Sequence, residues 1–260
     1  MDYADLMNPE NRDAALLRFL QHLERFGVAF LRNVPTADHR QVEKVAERFG
    51  PIRETFYGRS WDVKSVPNAK NIAYTSLFLD LHMDLMYFEA PPGLQFLHCL
   101  ENSVTGGESL FLDIFNAVQI LKQRDPAAYH CLSTTPVTFH YINSGHRMRF
   151  RRRTIEDDHP NEPLLVYYSP PFQGPVECEP DQMQEFYRSF KVLDGIINDP
   201  KLLYKVKLLP GDCAVFANRR ALHGRTSFDT NSGNRHLKGT YVDSDVFRDR
   251  LMHLEYVHRQ

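Results

Sequence analysis

GLQFLHCLENSVTGGESLFLD, residues 93–113, decides the fold class. GLQFLHCL and ESLFLD are apolar, aromatic-containing runs too short for ordinary helices, parted by a polar segment ending in Gly106-Gly107. That texture reads as short β-strands. Toward the C-terminus five more runs of the same kind follow: TPVTFHYI, LLVYY, YKVKLL, CAVFA and HLKGTYV. Gly, Pro, Asn and Asp separate them. Helical patterns interrupt the series at 115–122 and 180–197, and a last one covers 245–256. Toward the N-terminus, Leu16, Leu17, Phe19, Leu20, Leu23 and Phe26 recur at helical spacing over 13–25, with Gly27 as C-cap. VAFLRNV then reads as a strand, and Thr36 as the cap of a second helix running to Phe49, stopped by Gly50-Pro51.

Many short strands and few helices imply a mainly β architecture with flanking helices (α+β), a double-sheet barrel or jelly roll. The strand–helix alternation of a doubly wound fold is absent, as are GxGxxG and P-loop strings, so nucleotide binding has no support. Without repeats, low-complexity tracts or a Gly/Ser linker, residues 1–260 read as a single domain.

Composition narrows the function classes. The 260 residues carry 31 Lys+Arg and 33 Asp+Glu, a formal charge of -2. Near-neutrality argues against nucleic acid as a partner. The cluster Arg147, Arg149, Arg151, Arg152 and Arg153 reads as a solvated strand edge or loop, with attraction of an anionic substrate as the alternative. No apolar stretch approaches the ~18 residues of a membrane span, and the acidic, polar start is unlike a signal peptide. Cys99, Cys131, Cys178 and Cys213 form no CxxC pair and read as reduced core thiols. A zinc ribbon is excluded, and a cytoplasmic location is expected. Self-association into a homodimer is left open.

The chemistry is concentrated in Leu81-His82-Met83-Asp84. In extended backbone, residues i and i+2 project to one side, so His82 and Asp84 can reach one metal ion. His223, in RRALHGRTSF just after CAVFA, is the candidate third ligand, carried back on a neighbouring strand. Two His and one carboxylate with open positions form the facial triad of non-haem iron(II) oxygenases. Arg235, twelve residues after His223 at the head of a strand, can offer a planar fork to the carboxylate of a dicarboxylate co-substrate. Each residue also has a plainer reading: a surface His beside a capping Asp, a turn histidine before Gly224, a surface ion pair.

HMDLMYFEAPPGLQFLHCLENSVTGGESLFLD and GDCAVFANRRALHGRTSFDTNSGNRHLKGTYVDSD resemble the TauD/TfdA superfamily of 2-oxoglutarate dioxygenases. The resemblance is to the branch of γ-butyrobetaine and trimethyllysine dioxygenases, and it runs from roughly residue 25 to the C-terminus. It implies a distorted double-stranded β-helix with His82, Asp84 and His223 as the catalytic iron(II) ligands. It implies Arg235 on the distal carboxylate of 2-oxoglutarate, Ser109 helping to hold that co-substrate, and O2 as the other reactant. It further implies a cage of Tyr57, Trp61, Tyr74 and Tyr241 around a trimethylammonium group, held by cation–π attraction. Asn71 stands where trimethyllysine enzymes carry an aspartate, which favours a betaine such as γ-butyrobetaine as the small-molecule substrate. Two features depart from that branch: its N-terminal zinc domain is not in this sequence, and Tyr168 and Ser169 occupy the region of its paired asparagines. The alternatives are the same oxygenase chemistry on another metabolite, a zinc or manganese hydrolase or isomerase, and a non-catalytic module that captures methylated amines.

Overall fold

The structure is a computed structural model that describes residues 1–64, 75–158 and 164–259. Among these residues, five antiparallel strands form one sheet in the order Val28–Leu31, Cys213–Ala217, Leu94–Asn102, Arg235–Val242, Trp61–Lys64. Four more form a second sheet in the order Tyr204–Val206, Ser109–Asp113, Ala221–Arg225, Leu79–His82. A third sheet joins Gln173–Val176, Pro136–Asn143 and His146–Arg153. Strand order never follows chain order across the two main sheets, as in a distorted double-stranded β-helix.

The central strand Leu94–Asn102 shows why the layers stack. Leu94 and Phe96 point outward into a cluster with Leu16, Phe19 and Leu20 of the helix Arg12–Phe26 and Phe247 and Leu251 of Ser244–His258. Leu97 and Cys99 point the other way and meet Phe111, Phe216 and Leu237 between the sheets. Two-sided burial explains why this run lacks polar alternation. A third cluster packs the helices Ile114–Arg124, Pro126–Thr134 and Pro180–Ile197 beneath the third sheet. No helix among the described residues is long and apolar enough to cross a membrane.

The first helix ends as expected: Gly27 is left-handed (φ 74°) and its N–H closes on the Leu23 carbonyl. The second does not begin at Thr36. It spans Gln41–Glu47, because Asp38 builds a turn first: its carboxylate accepts from the Arg40 N–H at 3.0 Å and its carbonyl from the Gln41 N–H at 3.0 Å. The arginine cluster lies on the strand His146–Arg153 with Arg147, Arg149 and Arg151 exposed, and Arg149 pairs with Glu177 at 3.0 Å. Arg152 faces inward instead, stacked on Phe150 and Tyr167 at 4.2 and 4.3 Å. All four cysteines are free; Cys99 and Cys213 are buried, whereas Cys131 and Cys178 are only partly so.

The strands that matter most are the ones the apolar runs did not reveal. His82 ends Leu79–His82, and His223 stands directly opposite it on Ala221–Arg225. A register shift follows between His223 and Arg225, where Gly224 lies against the neighbouring backbone. A Cβ there would sit 2.6 Å from the Leu79 carbonyl oxygen. Gly224→Ala is therefore expected to push the two strands apart and cost about 1–3 kcal/mol by overpacking. The readout is a lower urea midpoint at an unchanged m-value; a wild-type midpoint would show that the contact is not tight.

Candidate metal and co-substrate site

His82, Asp84 and His223 meet at one point: each offers a ligand atom, and these atoms lie within 4.8 Å of one another. The imidazole rings face each other with centroids 4.3 Å apart, a consequence of their paired register. Asp84 lies two residues past the end of the His82 strand, in a turn that Leu85 completes with a left-handed φ of 61°. Its Oδ1 sits 3.3 Å from Nε2 of His82 and 3.8 Å from Nε2 of His223. The other oxygen, Oδ2, accepts the Tyr241 hydroxyl at 2.6 Å.

Hydrogen bonding aims these groups. Nδ1 of His82 lies 2.7 Å from the Asp80 carbonyl oxygen. Donating there orients the ring with Nε2 toward Asp84, the usual outer support of a metal-bound imidazole. Burial would lift the Asp84 carboxyl, but its imidazole neighbours His223 and His82 and the hydrogen bond from Tyr241 outweigh it and hold it far below the carboxylate range. Burial, aided by the charge of His82, pushes His223 down to about 3, so its imidazole is neutral at ordinary pH. A neutral imidazole and an ionised carboxylate are the forms that bind metal. His82 is different: burial lowers its pKa, but hydrogen bonding and charge from Asp84 reverse the sign. A divalent ion would take the place of that proton. Two nitrogens and one oxygen on one side, with the cavity opposite, fit iron(II) or a similar divalent metal.

The same cavity is lined by the polar side chains of Arg235, Ser109, Arg225 and Gln95. Arg235 is 7% exposed, and among the described residues no carboxylate pairs with it; its Nε has no acceptor. Burial pushes its pKa down to about 10. A buried guanidinium without a counter-charge is costly, and an incoming carboxylate would relieve that cost. Room for its stem comes from Gly107 (φ 72°), where a Cβ would lie 3.2 Å from Cδ of Arg235. Arg225 differs, donating through Nη2 to the carbonyls of Thr75 and Leu77 at 2.9 and 2.7 Å.

The lining also includes the aromatic and apolar residues Tyr57, Trp61, Leu85, Tyr87, Pro171 and Phe172. Tyr57 and Trp61 are 6.2 Å apart, whereas Trp61 stacks on Tyr241 at 4.1 Å with a 30° tilt. One face of Tyr241 is thereby covered and its hydroxyl is given to Asp84, so it backs the wall more than it forms it. Burial raises the Tyr57 and Tyr87 phenols well above their ordinary range. Tyr74 and Asn71, also expected here, lie outside the described residues. Tyr168 and Ser169 are not in the cavity wall; the Tyr168 hydroxyl donates to Asp194 at 2.9 Å. Sequence reasoning missed Arg225, Tyr87, Leu85 and Phe172. Only Arg225 carried a signal, lying two residues from His223 in an extended run.

Comparison with known proteins agrees with this picture. The model of the taurine catabolism dioxygenase TauD, TfdA family matches residues 2–241. Dioxygenase str8 of Strobilurus tenacellus is 40% identical over 262 residues, covering 96% of this chain and 61% of its own length. The γ-butyrobetaine dioxygenase of Pseudomonas sp. (strain AK-1) is 35% identical over 243 residues, covering 94% of this chain and 63% of its own. This chain thus spans about three fifths of the length of these curated relatives. An asparagine oxygenase solved with Fe(II), 2S,3S-3-hydroxyasparagine and succinate shares the fold, with TM-score 0.70 over 89% of this chain and 80% of that one at 17% identity. The family match extends from the first helix to the last strand of the main sheet, taking in every element that borders the cavity, and the chain belongs to the taurine catabolism dioxygenase TauD, TfdA family.

Proposed function

We propose that this chain is an Fe(II)- and 2-oxoglutarate-dependent dioxygenase that hydroxylates an unactivated C–H bond of a small substrate, a betaine such as γ-butyrobetaine. The observation that carries the reading is the convergence of His82, Asp84 and His223 in the cavity that also holds the buried Arg235, which pairs with no carboxylate among the described residues. A zinc hydrolase would have no use for that arginine. The relatives named γ-butyrobetaine dioxygenase support the betaine class.

His82, Asp84 and His223 would hold the iron, which with 2-oxoglutarate and O2 supplies the oxidising power to break the C–H bond. The chain's own contribution is position and exclusion of water. Arg235 would take the distal carboxylate of 2-oxoglutarate in a bidentate, charge-assisted contact, with Ser109 beside it. Tyr241 would keep one Asp84 oxygen occupied and the other turned to the metal. Tyr57 and Trp61 would present ring faces to a trimethylammonium group, which has no hydrogen to donate and is recognised by cation–π attraction. Tyr74 and Asn71 are proposed for the same end of the substrate. We further take residues 1–260 as one catalytic domain acting in the cytoplasm on a free small molecule, without nucleic acid or membrane. Near-neutral charge and free cysteines support that placement.

Purified protein supplied with iron(II) should convert 2-oxoglutarate to succinate faster when γ-butyrobetaine or trimethyllysine is added. His82→Ala and Asp84→Ala should abolish the stimulated turnover with an unchanged circular dichroism spectrum; wild-type turnover in either variant removes the ligand assignment. Arg235→Leu removes a charged hydrogen-bonding partner worth about 1.5–3 kcal/mol, so the KM for 2-oxoglutarate should rise roughly 10- to 100-fold with iron affinity unchanged. An unaltered KM would take Arg235 out of the site. Trp61→Leu should weaken binding of the trimethylammonium substrate about tenfold or more, a cation–π loss of about 2 kcal/mol, while leaving the KM for 2-oxoglutarate alone. Equal loss for both compounds would instead mean that Trp61 shapes the whole cavity.

A further inference from the structure

We infer that Asn218 is a positioning residue for the metal site: its side-chain amide clamps the backbone on both sides of Asp84 and so sets the distance between Asp84 and His223. The inference rests on the metal-binding reading above and adds a residue that does not itself face the cavity.

Three hydrogen bonds define the clamp. The Asp84 N–H donates to Oδ1 of Asn218 at 2.8 Å, and Nδ2 of Asn218 donates back to the Asp84 carbonyl at 3.0 Å. The second Nδ2 proton goes to the Pro92 carbonyl at 3.1 Å. The backbone N–H of Asn218 is bound to the Gly93 carbonyl at 2.8 Å. Asn218 is wholly buried (0% exposed), so each of these bonds is made without competition from water, and each broken one leaves an unsatisfied group.

The placement gives the clamp its purpose. Asp84 lies beyond the end of its strand, so no sheet ladder fixes it. The next residue, Leu85, has φ 61°, a conformation costly for a branched side chain and kept only where the surroundings impose it. Asn218 itself sits in the turn between Cys213–Ala217 and Ala221–Arg225, the strand that carries His223. One amide therefore ties the segment bearing the carboxylate to the segment bearing the second imidazole. An amide can accept from the backbone N–H and donate to the backbone carbonyl of the same residue; leucine offers neither group, and aspartate offers no donor at neutral pH.

The test is metal affinity, read apart from turnover. Mn(II) titrations followed by the EPR signal of free ion should show about 10- to 100-fold weaker binding in Asn218→Ala, the usual effect of removing an outer partner of a ligand. The visible bands of the Co(II)-loaded protein should also shift, since the carboxylate angle changes. Asn102→Ala is the comparison: it removes another buried amide, bound to the Leu208 carbonyl at 2.7 Å, with no contact to Asp84. It should lower the urea midpoint while leaving Mn(II) affinity within twofold. Should Asn218→Ala not fold, Asn218→Asp, of nearly equal volume, is held to the same expectation. Wild-type Mn(II) affinity and an unshifted Co(II) spectrum in a folded Asn218 variant overturn the inference alone, as does an equal loss of affinity in Asn102→Ala. A wild-type protein that binds neither ion overturns the metal reading and the inference with it.

Discussion

His82 and His223 stand opposite each other across one antiparallel pair, and the rest of the site is built around that register. Shifting either strand by one residue would turn its imidazole to the other face of the sheet. Register is held from both sides. On one flank the His223 strand pairs residue for residue with Ser109–Asp113, which also delivers Ser109 to the cavity. Along the His82 strand, the close approach at Gly224 and the shift beside it fix where the ladder resumes. Backbone pairing thus does most of the work of bringing together side chains distant in the chain, and it does so before any metal arrives.

The second constraint is electrostatic. Asp84, Arg225 and Arg235 are carried into a largely apolar interior where each would be costly alone. Asp84 is compensated by two imidazoles and a phenol, Arg225 by two backbone carbonyls. Arg235 is the residue left without compensation from a carboxylate among the described residues, and its positive charge makes that of Arg225 harder to keep. That imbalance makes the free site electropositive at one end, and a dianionic co-substrate would restore the balance.

Much of this was legible in the sequence, and the failures have identifiable causes. The apolar strands of the main sheet declared themselves because both of their faces are buried. The strands Leu79–His82 and Ala221–Arg225 did not, since residues turned toward the cavity are His, Arg and Gly, which erase the pattern that reveals a strand. His82 and Asp84 were paired by the i, i+2 argument, yet only His82 is on the strand; Asp84 reaches the same point through a turn. Thr36 failed as a cap because Asp38 competes for the same stretch of backbone, an outcome decided by local geometry that residue type alone does not rank. Asn218 left no trace in the sequence, since its role depends on which segments the topology places beside it.

The aromatic residues show a further limit of counting residue types. Tyr57, Trp61 and Tyr241 are all aromatic and all border the cavity, but they do not present equivalent surfaces. Trp61 lies over Gly239, where a Cβ would come within 2.7 Å of the indole, and it covers Tyr241 beyond. Only with glycine at 239 can the indole lie that close to the strand. The consequence is a layered arrangement in which Asp84 holds Tyr241, Tyr241 supports Trp61, and Trp61 keeps its remaining face for the cavity. Asp84 and the aromatic lining of the cavity are thus joined in one stack of side chains through a single hydrogen bond.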